Sequence, residues 1–171
     1  GNLKIGTATL NLDVIEDQFT FTTEAKTESL WKALYDYSRS EKSTGNEVDG
    51  QVINKYFSVI EKIKDEVKKN YEINIATDKN YAISSTGEEW EIKPGLLVDP
   101  LSVYLALSND MLNNPDQNEF TYQVVDQDGV KYLEFRVDGN EMIEINGSEI
   151  ETLRVACDEL ELTLNLSCLL Y

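Results

Sequence analysis

The chain of 171 residues is long enough for one domain with a hydrophobic core, and 41% of its residues are hydrophobic, near the average for globular proteins. It carries 32 acidic and 15 basic residues, so its net charge of −17 repels phosphate groups, and we expect no nucleic-acid partner. Histidine is absent, which excludes the commonest general base and histidine-ligated metal sites, and no apolar run approaches the ~20 residues of a membrane-spanning helix.

Alternating apolar and polar residues predict a β-hairpin at the N-terminus, over the stretch KIGTATLNLDVIEDQFTFTTEAKT. Ala8, Leu10 and Leu12 fall on one face of its first strand, and IEDQ is the turn. Phe19 and Phe21 alternate with threonines in the second strand, a composition that favours β-structure.

The next two segments show no clear strand pattern. SLWKALYDYS (29–38) places apolar residues at the spacing of one short helical turn, although a wide loop fits them as well. SEKSTGNEVDG (40–50) is polar and contains glycine, which predicts a turn or loop.

Residues 52–76 fit two patterns. A period of 3.6, typical of a helix, is met by Ile53, Tyr56, Phe57, Ile60, Ile63 and Val67. A period of two, typical of a strand pair with a charged turn near 64–69, is met by Ile53, Phe57, Val59, Ile63, Val67, Tyr71, Ile73 and Ile75. These residues alone leave both structures open. YAISSTGEEWEIKPG (81–95) is clearer and predicts a hairpin with its turn at STGEE.

The centre of the chain, LLVDPLSVYLAL (96–107), predicts one short helix over about residues 100–112. Asp99 is a suitable N-cap because its carboxylate can accept a hydrogen bond from a free amide of the first turn. Pro100 suits the first helical position, where no amide hydrogen is needed. The apolar residues Leu101, Tyr104 and Leu105 follow at helical spacing, and NNPDQN ends the helix.

After this helix the sequence predicts a meander of short hairpins. Its turns are expected at Asp128-Gly129, Asp138-Gly139 and Asn146-Gly147, each of which lies between alternating segments. The last segment, LELTLNLS, places four leucines on one face of a strand: Leu160, Leu162, Leu164 and Leu166.

These elements predict a single β-rich domain over residues 1–171, mainly β with minor α. We expect a curved antiparallel sheet or half-open barrel, with the central helix packed on its concave face. The helix and its surroundings then either form core or line an apolar cavity. The lining side chains of such a cavity would be Trp31, Tyr35, Trp90, Leu101, Tyr104 and Leu105.

The sequence offers no cofactor or metal motif and no catalytic constellation. VVDQDGVKYLEF places Asp126, Asp128 and Gly129 as in a calcium-binding EF-hand loop, but Val124 and Phe135 stand where that loop needs carboxylates, so it is read as a hairpin turn. We therefore expect no metal site, no cofactor and no enzyme activity.

The two cysteines, Cys157 and Cys168, are expected to be unpaired thiols. The strand-like segment between them would span roughly 25 Å when extended, whereas bridged Cα atoms lie within about 7 Å. Cys157 follows an apolar strand and is expected to be buried.

Three stretches in this order resemble the bacterial domain-of-unknown-function 3108 family of exported envelope proteins. IGTATLNL (5–12) is similar to that family's first strand, LLVDPLSVYLAL (96–107) to its turn into a short helix, and NGSEIETLRV (146–155) to one of its hairpins. The C-terminal CDELELTLNLSCLLY departs from the family's closing strands. The resemblance implies a β-rich fold with strands over 52–76, and a periplasmic or envelope location, with a signal peptide that preceded this sequence. It implies no activity.

The resulting expectation is a non-enzymatic envelope protein whose curved sheet binds an apolar small molecule or lipid, or a partner protein. A carboxylate-dependent hydrolase and a structural component of an envelope assembly are the alternatives. If the core beneath the helix has no apolar cavity, the hypothesis of a ligand carrier is excluded and the hypothesis of a partner-binding protein remains. The hydrolase requires two acids that converge in a pocket, one of them desolvated.

Overall fold

The structure is a computed structural model that describes residues 5–93, 95–145, 147–157 and 162–166. The first seven strands form one antiparallel sheet, sheet A, in which every strand pairs with its neighbours in sequence. Its strands are β1 (Gly6–Ile15), β2 (Gln18–Thr27), β3 (Tyr37–Val48), β4 (Gln51–Ile63), β5 (Glu66–Ala76), β6 (Tyr81–Ser84) and β7 (Glu89–Glu91). A short helix, α1 (Ser29–Leu34), connects β2 to β3, and a 3₁₀ turn (Thr77–Lys79) connects β5 to β6.

The second sheet, sheet B, has five strands in the order β12-β11-β10-β9-β8. Its strands are β8 (Leu97–Val98), β9 (Glu119–Asp126), β10 (Gly129–Ile145), β11 (Ser148–Cys157) and β12 (Leu162–Leu166). The central helix, α2 (Ser102–Asn113), lies between β8 and β9. The prediction of a mainly β protein with a curved, open sheet and one central short helix is confirmed.

The position of α2 in the chain follows from the way sheet B is connected. β8 pairs with β9 in parallel, whereas the other described strand pairs are antiparallel. Two parallel strands cannot be joined by a tight turn and need a crossover, which is usually a helix. The helix α2 lies at the centre of the chain because it connects these two parallel strands, and it returns the chain from the end of β8 to the start of β9.

Sheet A turns one face, here called the inner face, toward α2 and sheet B. Directly paired antiparallel residues share a face, and Phe21 pairs with Leu12 on one side and with Ser43 on the other. Ser43 in turn pairs with Phe57, and Phe57 with Ile73. Inner-face residues of sheet A and residues of sheet B and α2 belong to one buried hydrophobic cluster.

Residues 52–76 form strands, as the resemblance implied, with the turn at Lys64 and Asp65. A bulge in β4 modifies the alternating pattern: Thr44 pairs with Tyr56 and Gly45 with Asn54, so Lys55 has no direct partner. Odd positions face the core from Phe57 onward, but even positions do so before the bulge.

Two details of the sequence-based prediction are wrong. Residues 40–50 were expected to be a turn or loop, yet they include most of β3, because a strand paired on both sides is held by its backbone whatever its side chains. Asp138-Gly139 is not a turn but a register shift within β10. The central helix, predicted over about residues 100–112, is confirmed and extends from Ser102 to Asn113.

The other predictions for the C-terminal half have mixed outcomes. The turn at Asp128-Gly129 is confirmed and joins β9 to β10, and Gly147 lies in the turn between β10 and β11. Cys157 is buried, as expected. The predictions on Cys168 and on the leucine face of LELTLNLS fall on residues or side chains outside those that the structure describes.

Candidate functional site

The start of α2 is fixed to sheet A by a buried polar cluster around Asp99. The Oδ1 atom of Asp99 accepts hydrogen bonds from the backbone amides of Leu101 at 2.7 Å and Ser102 at 2.9 Å. Its Oδ2 atom accepts from the hydroxyl of Ser43 at 2.5 Å and from the side-chain amide of Asn54. Asp99 therefore caps the helix as predicted, from a position before Leu101, and also ties the helix to β3 and β4.

This carboxyl group has no contact with solvent, since Asp99 is 0% exposed. Burial raises the pKa of Asp99, and the hydrogen bonds from Ser43, Ser102, Asn54 and Leu101 oppose that rise only in part. The Asn54 amide also donates to the Ser102 hydroxyl at 2.7 Å, so the cluster is a closed network. Such a network supports the fold and offers a ligand no access.

We expect Asp99 to contribute less to stability as the pH rises. Because its folded-state pKa lies above the ordinary 3.8, the native state keeps a proton that the unfolded chain releases. The contribution of Asp99 to the free energy of unfolding is complete below pH 3.8, and it is lost as the pH rises through the folded-state pKa. Denaturant unfolding from about pH 4 to about pH 8 should show the unfolding free energy of the wild type falling relative to that of Asp99→Asn, which cannot titrate there. A difference that is constant or grows with pH would contradict this.

A second polar group lies on the inner face of sheet A, around Arg39. The Arg39 guanidinium contacts the Glu41 carboxylate at 2.6 Å and the Glu61 carboxylate at 2.9 Å. The side chains of Glu41 and Glu61 are only 14% and 15% exposed. Burial raises the pKa of the hydroxyls of Tyr71 and Tyr104, and the Glu41 charge makes a smaller contribution in the same direction. The inner face thus carries a compact ion-pair network in addition to its apolar residues.

The inner face continues beyond the core onto β1, where it is open to solvent. Leu12 pairs with Phe21 and Val14 with Phe19, and both phenylalanines are buried. On β1, however, Leu10 is 64% exposed, Leu12 43% and Val14 51%. We call Ala8, Leu10, Leu12 and Val14 the β1 row. It is an apolar surface that extends the core and that no described element covers, which is typical of an interaction site.

The described cavities are less favourable for an apolar molecule. The cavity beside α2 has a volume of about 190 Å³ and a mixed lining of Gly50, Gln51, Val52, Leu96, Ala106, Asp110, Thr121 and Tyr122. A half-open cavity of about 520 Å³ lies past the end of α2, between Met111, Val137 and Leu153 on one side and polar residues such as Gln117, Asn118 and Arg136 on the other. The residues beneath the helix otherwise belong to the packed core.

The six side chains predicted to line an apolar cavity line neither of these two cavities. Leu101 is buried in the core, and Trp90, Tyr104 and Leu105 pack against it. Trp31 lies in α1, and Tyr35, which follows that helix, is 49% exposed and stacks on Tyr37 with ring centroids 6.0 Å apart. The alternation in β1 was visible in the sequence, but its exposure was not, because exposure depends on which strand forms the edge of the sheet.

Among the described residues there is no cluster of histidine, cysteine, aspartate or glutamate that could hold a metal ion. In the acidic turn of β9 and β10, the ammonium of Lys131 pairs with both carboxylates, at 2.9 Å from Asp126 and 3.6 Å from Asp128. None of the helices in the described part of the chain has the length and apolarity needed to cross a membrane.

Comparison with known proteins identifies the fold alone. No protein-family model matches the chain, and no curated protein matches it. A beta-barrel-like protein of the domain-of-unknown-function 1849 from Brucella abortus is similar with a TM-score of 0.50 and 13% identity, over 95% of this chain and 76% of that one. A domain-of-unknown-function 1089 protein from Pseudomonas aeruginosa matches with a TM-score of 0.48 and 12% identity, over 96% and 91%. The resemblance to the 3108 family stays a prediction.

Proposed function

We propose that this protein is a non-enzymatic component of the bacterial cell envelope that binds a partner protein through the β1 row. The observation that carries the proposal is the continuity of the inner face: Phe19 and Phe21 are buried, while Leu12 and Val14, paired with them, are exposed. No described part of the chain covers this apolar surface, which begins inside the core and ends in solvent, and a partner protein would supply the cover. The envelope location rests on the resemblance to the 3108 family.

A partner protein fits this surface better than a carried lipid or other apolar small molecule. Sites for such ligands are enclosed cavities of about 300–1,000 Å³ that bury most of the ligand. The cavity beside α2, of about 190 Å³, is smaller than this and partly polar. The cavity past the end of α2, of about 520 Å³, has the required volume, but it is half-open and polar residues such as Gln117, Asn118 and Arg136 line one side of it. The β1 row, in contrast, is a narrow strip along a strand, which gives a small molecule contact on one side only.

The hydrolase alternative requires two converging acids, one of them desolvated, in an open pocket. Asp99 is desolvated, but its neighbours are hydroxyl and amide groups, and it is inaccessible. Glu41 and Glu61 lie on one face, but both are bound to the Arg39 guanidinium, which fills the space between them. These contacts favour a binding role over catalysis.

Photo-cross-linking tests the proposal with two exposed positions at opposite edges of sheet A. A photoreactive phenylalanine analogue in place of Leu10 lies in the β1 row, whereas the same analogue in place of Glu89 lies in β7, at the other edge of the sheet. In cells of the natural host, we expect the Leu10 variant to form a discrete adduct with one other protein in the envelope fraction, and the Glu89 variant to form none.

Mass spectrometry of the adduct distinguishes the outcomes. Equal adducts at both positions, or none at either, would refute the partner-binding proposal. A cross-link to another part of the same chain would show that the protein covers its own β1 row, which also refutes it. Recovery of the protein in the cytoplasmic fraction would refute the envelope location.

A further inference from the structure

We propose that the partner adds a β-strand to the outer edge of β1, and that this strand alternates apolar with polar side chains and carries basic residues at one end. This inference rests on the proposed function and specifies the partner's chemistry. Three features of the structure carry it: the free edge of β1, the β1 row on the inner face, and the charge at one end of the strand.

The edge of β1 is long and lacks the usual protection. Within the described chain, β1 pairs only with β2, so the backbone groups on its other side face outward over ten residues, about 34 Å. Edge strands are normally short, charged, or interrupted by lysine or proline. β1 contains neither, and Asp13 is its one charged residue. The opposite edge of sheet A, β7, shows the protected form: it has three residues, and two of them are glutamates.

The β1 row sets the pattern of side chains on an added strand. Residues directly opposite each other in a sheet share a face, so every second side chain of the partner would lie beside Leu10, Leu12 or Val14. Those side chains must be apolar to extend the core, and the intervening ones face the solvent with Thr9 and Asn11. A shift by one residue would invert this arrangement, so the alternation fixes the register.

The charge of the partner follows from the end of β1 that carries Ile15. The turn between β1 and β2 contains Glu16 and Asp17, and the carbonyl of Asp17 accepts a hydrogen bond of 2.7 Å from the amide of Glu47. With Asp13 and Asp49, this end carries five acids, and neither 13–18 nor 46–51 contains a lysine or arginine. Opposite charge therefore favours a partner whose basic residues lie at this end.

The same charge disfavours a second copy of this chain as the occupant. Each copy carries a net charge of −17, so pairing two copies brings two strongly acidic molecules together. A basic strand is attracted by the negative charge of this chain, whereas a second copy, with the same negative charge, is repelled by it. Self-association is thus an outcome of the test and not the expected one.

The experiment uses the full chain and three fluorescent peptides of identical length. The first alternates valine and threonine and ends in two lysines, the second has the same composition with the valines grouped together, and the third ends in two glutamates. We expect the first peptide to bind, and the other two to bind at least about tenfold more weakly, which corresponds to ~1.4 kcal/mol. Raising the salt concentration should weaken binding of the first peptide, because its lysines act through screened charges.

Two variants identify the surface. Leu10→Lys places a charge in the β1 row and should abolish binding, whereas Thr9→Lys adds the same charge to the opposite face and should preserve it. Both positions are exposed, so thermal unfolding should confirm that both variants fold. If the cross-link from position 10 forms but all three peptides bind equally or not at all, strand addition is refuted while the partner-binding function stands. An adduct of two copies would refute the basic partner in favour of self-association.

Discussion

Replacing Asp99 with alanine is expected to lower the free energy of unfolding by about 3–5 kcal/mol. The substitution removes the acceptor of four hydrogen bonds, from Ser43, Asn54 and the amides of Leu101 and Ser102. A buried donor left without an acceptor costs about 1–3 kcal/mol, and water entering the vacated space recovers only part of this. Denaturant unfolding monitored by circular dichroism would measure the loss.

The matched control is Asp116→Ala, just past the same helix. Asp116 is exposed, so its replacement should change the unfolding free energy by less than about 0.5 kcal/mol. A loss of stability in Asp99→Ala no larger than in this control would show that the buried network does not hold α2 on sheet A. Asp99 contacts Ser43 and Asn54, which precede it in the chain by 56 and 45 positions. Its loss should therefore also weaken the attachment of α2 to sheet A.

Gly45→Ala is expected to cost about 3 kcal/mol for a steric reason. Gly45 lies at the bulge between β3 and β4, and a Cβ atom there would collide with the backbone carbonyl of Ile53 and lie 2.7 Å from the ring of Phe19. The ring could turn, but the carbonyl belongs to the strand ladder and cannot move without breaking it. Thermal unfolding should show a clear fall in Tm.

Ser40→Ala is the control for this prediction, because it introduces alanine into the same strand at an exposed position. It should leave the Tm nearly unchanged. If Gly45→Ala is as stable as Ser40→Ala, the close approach of β3 to β4 at the bulge is not a constraint on the sequence at this position.

The sequence predicts those parts of the fold that depend on local signals. The turn at Asp128-Gly129 and the helix after Asp99 both follow from the conformational preferences of a few adjacent residues, and both are present. The error at residues 40–50 has the opposite origin. Most of that polar segment is β3, whose position between β2 and β4 holds it in place, and sequence separation hides those contacts.

The candidate site was hidden for the same reason. The alternation of Leu10 and Leu12 with polar residues can be read from the sequence, but such a row of apolar residues normally predicts a buried face. That the row is exposed depends on β1 being the edge of sheet A, a property of the strand order. The ion pair of Arg39 with Glu61 likewise joins two strands, β3 and β4, that no local pattern connects. Of the four aromatic residues suggested as a lining, Trp90 and Tyr104 pack against the core, whereas Trp31 and Tyr35 do not belong to it.

The strand order of sheet A also has a consequence for how the chain folds. Each strand after β1 pairs with the one before it, so every step closes a short loop at small entropic cost, and the sheet can grow in the order in which the residues are synthesised. The parallel pair of β8 and β9 must wait for α2. β1 is made first, gains β2 as its only described neighbour, and keeps its other edge available through all later steps. The edge and the apolar row proposed for the partner are therefore in place once β1 and β2 have paired, and β3 completes the acidic end before sheet B forms.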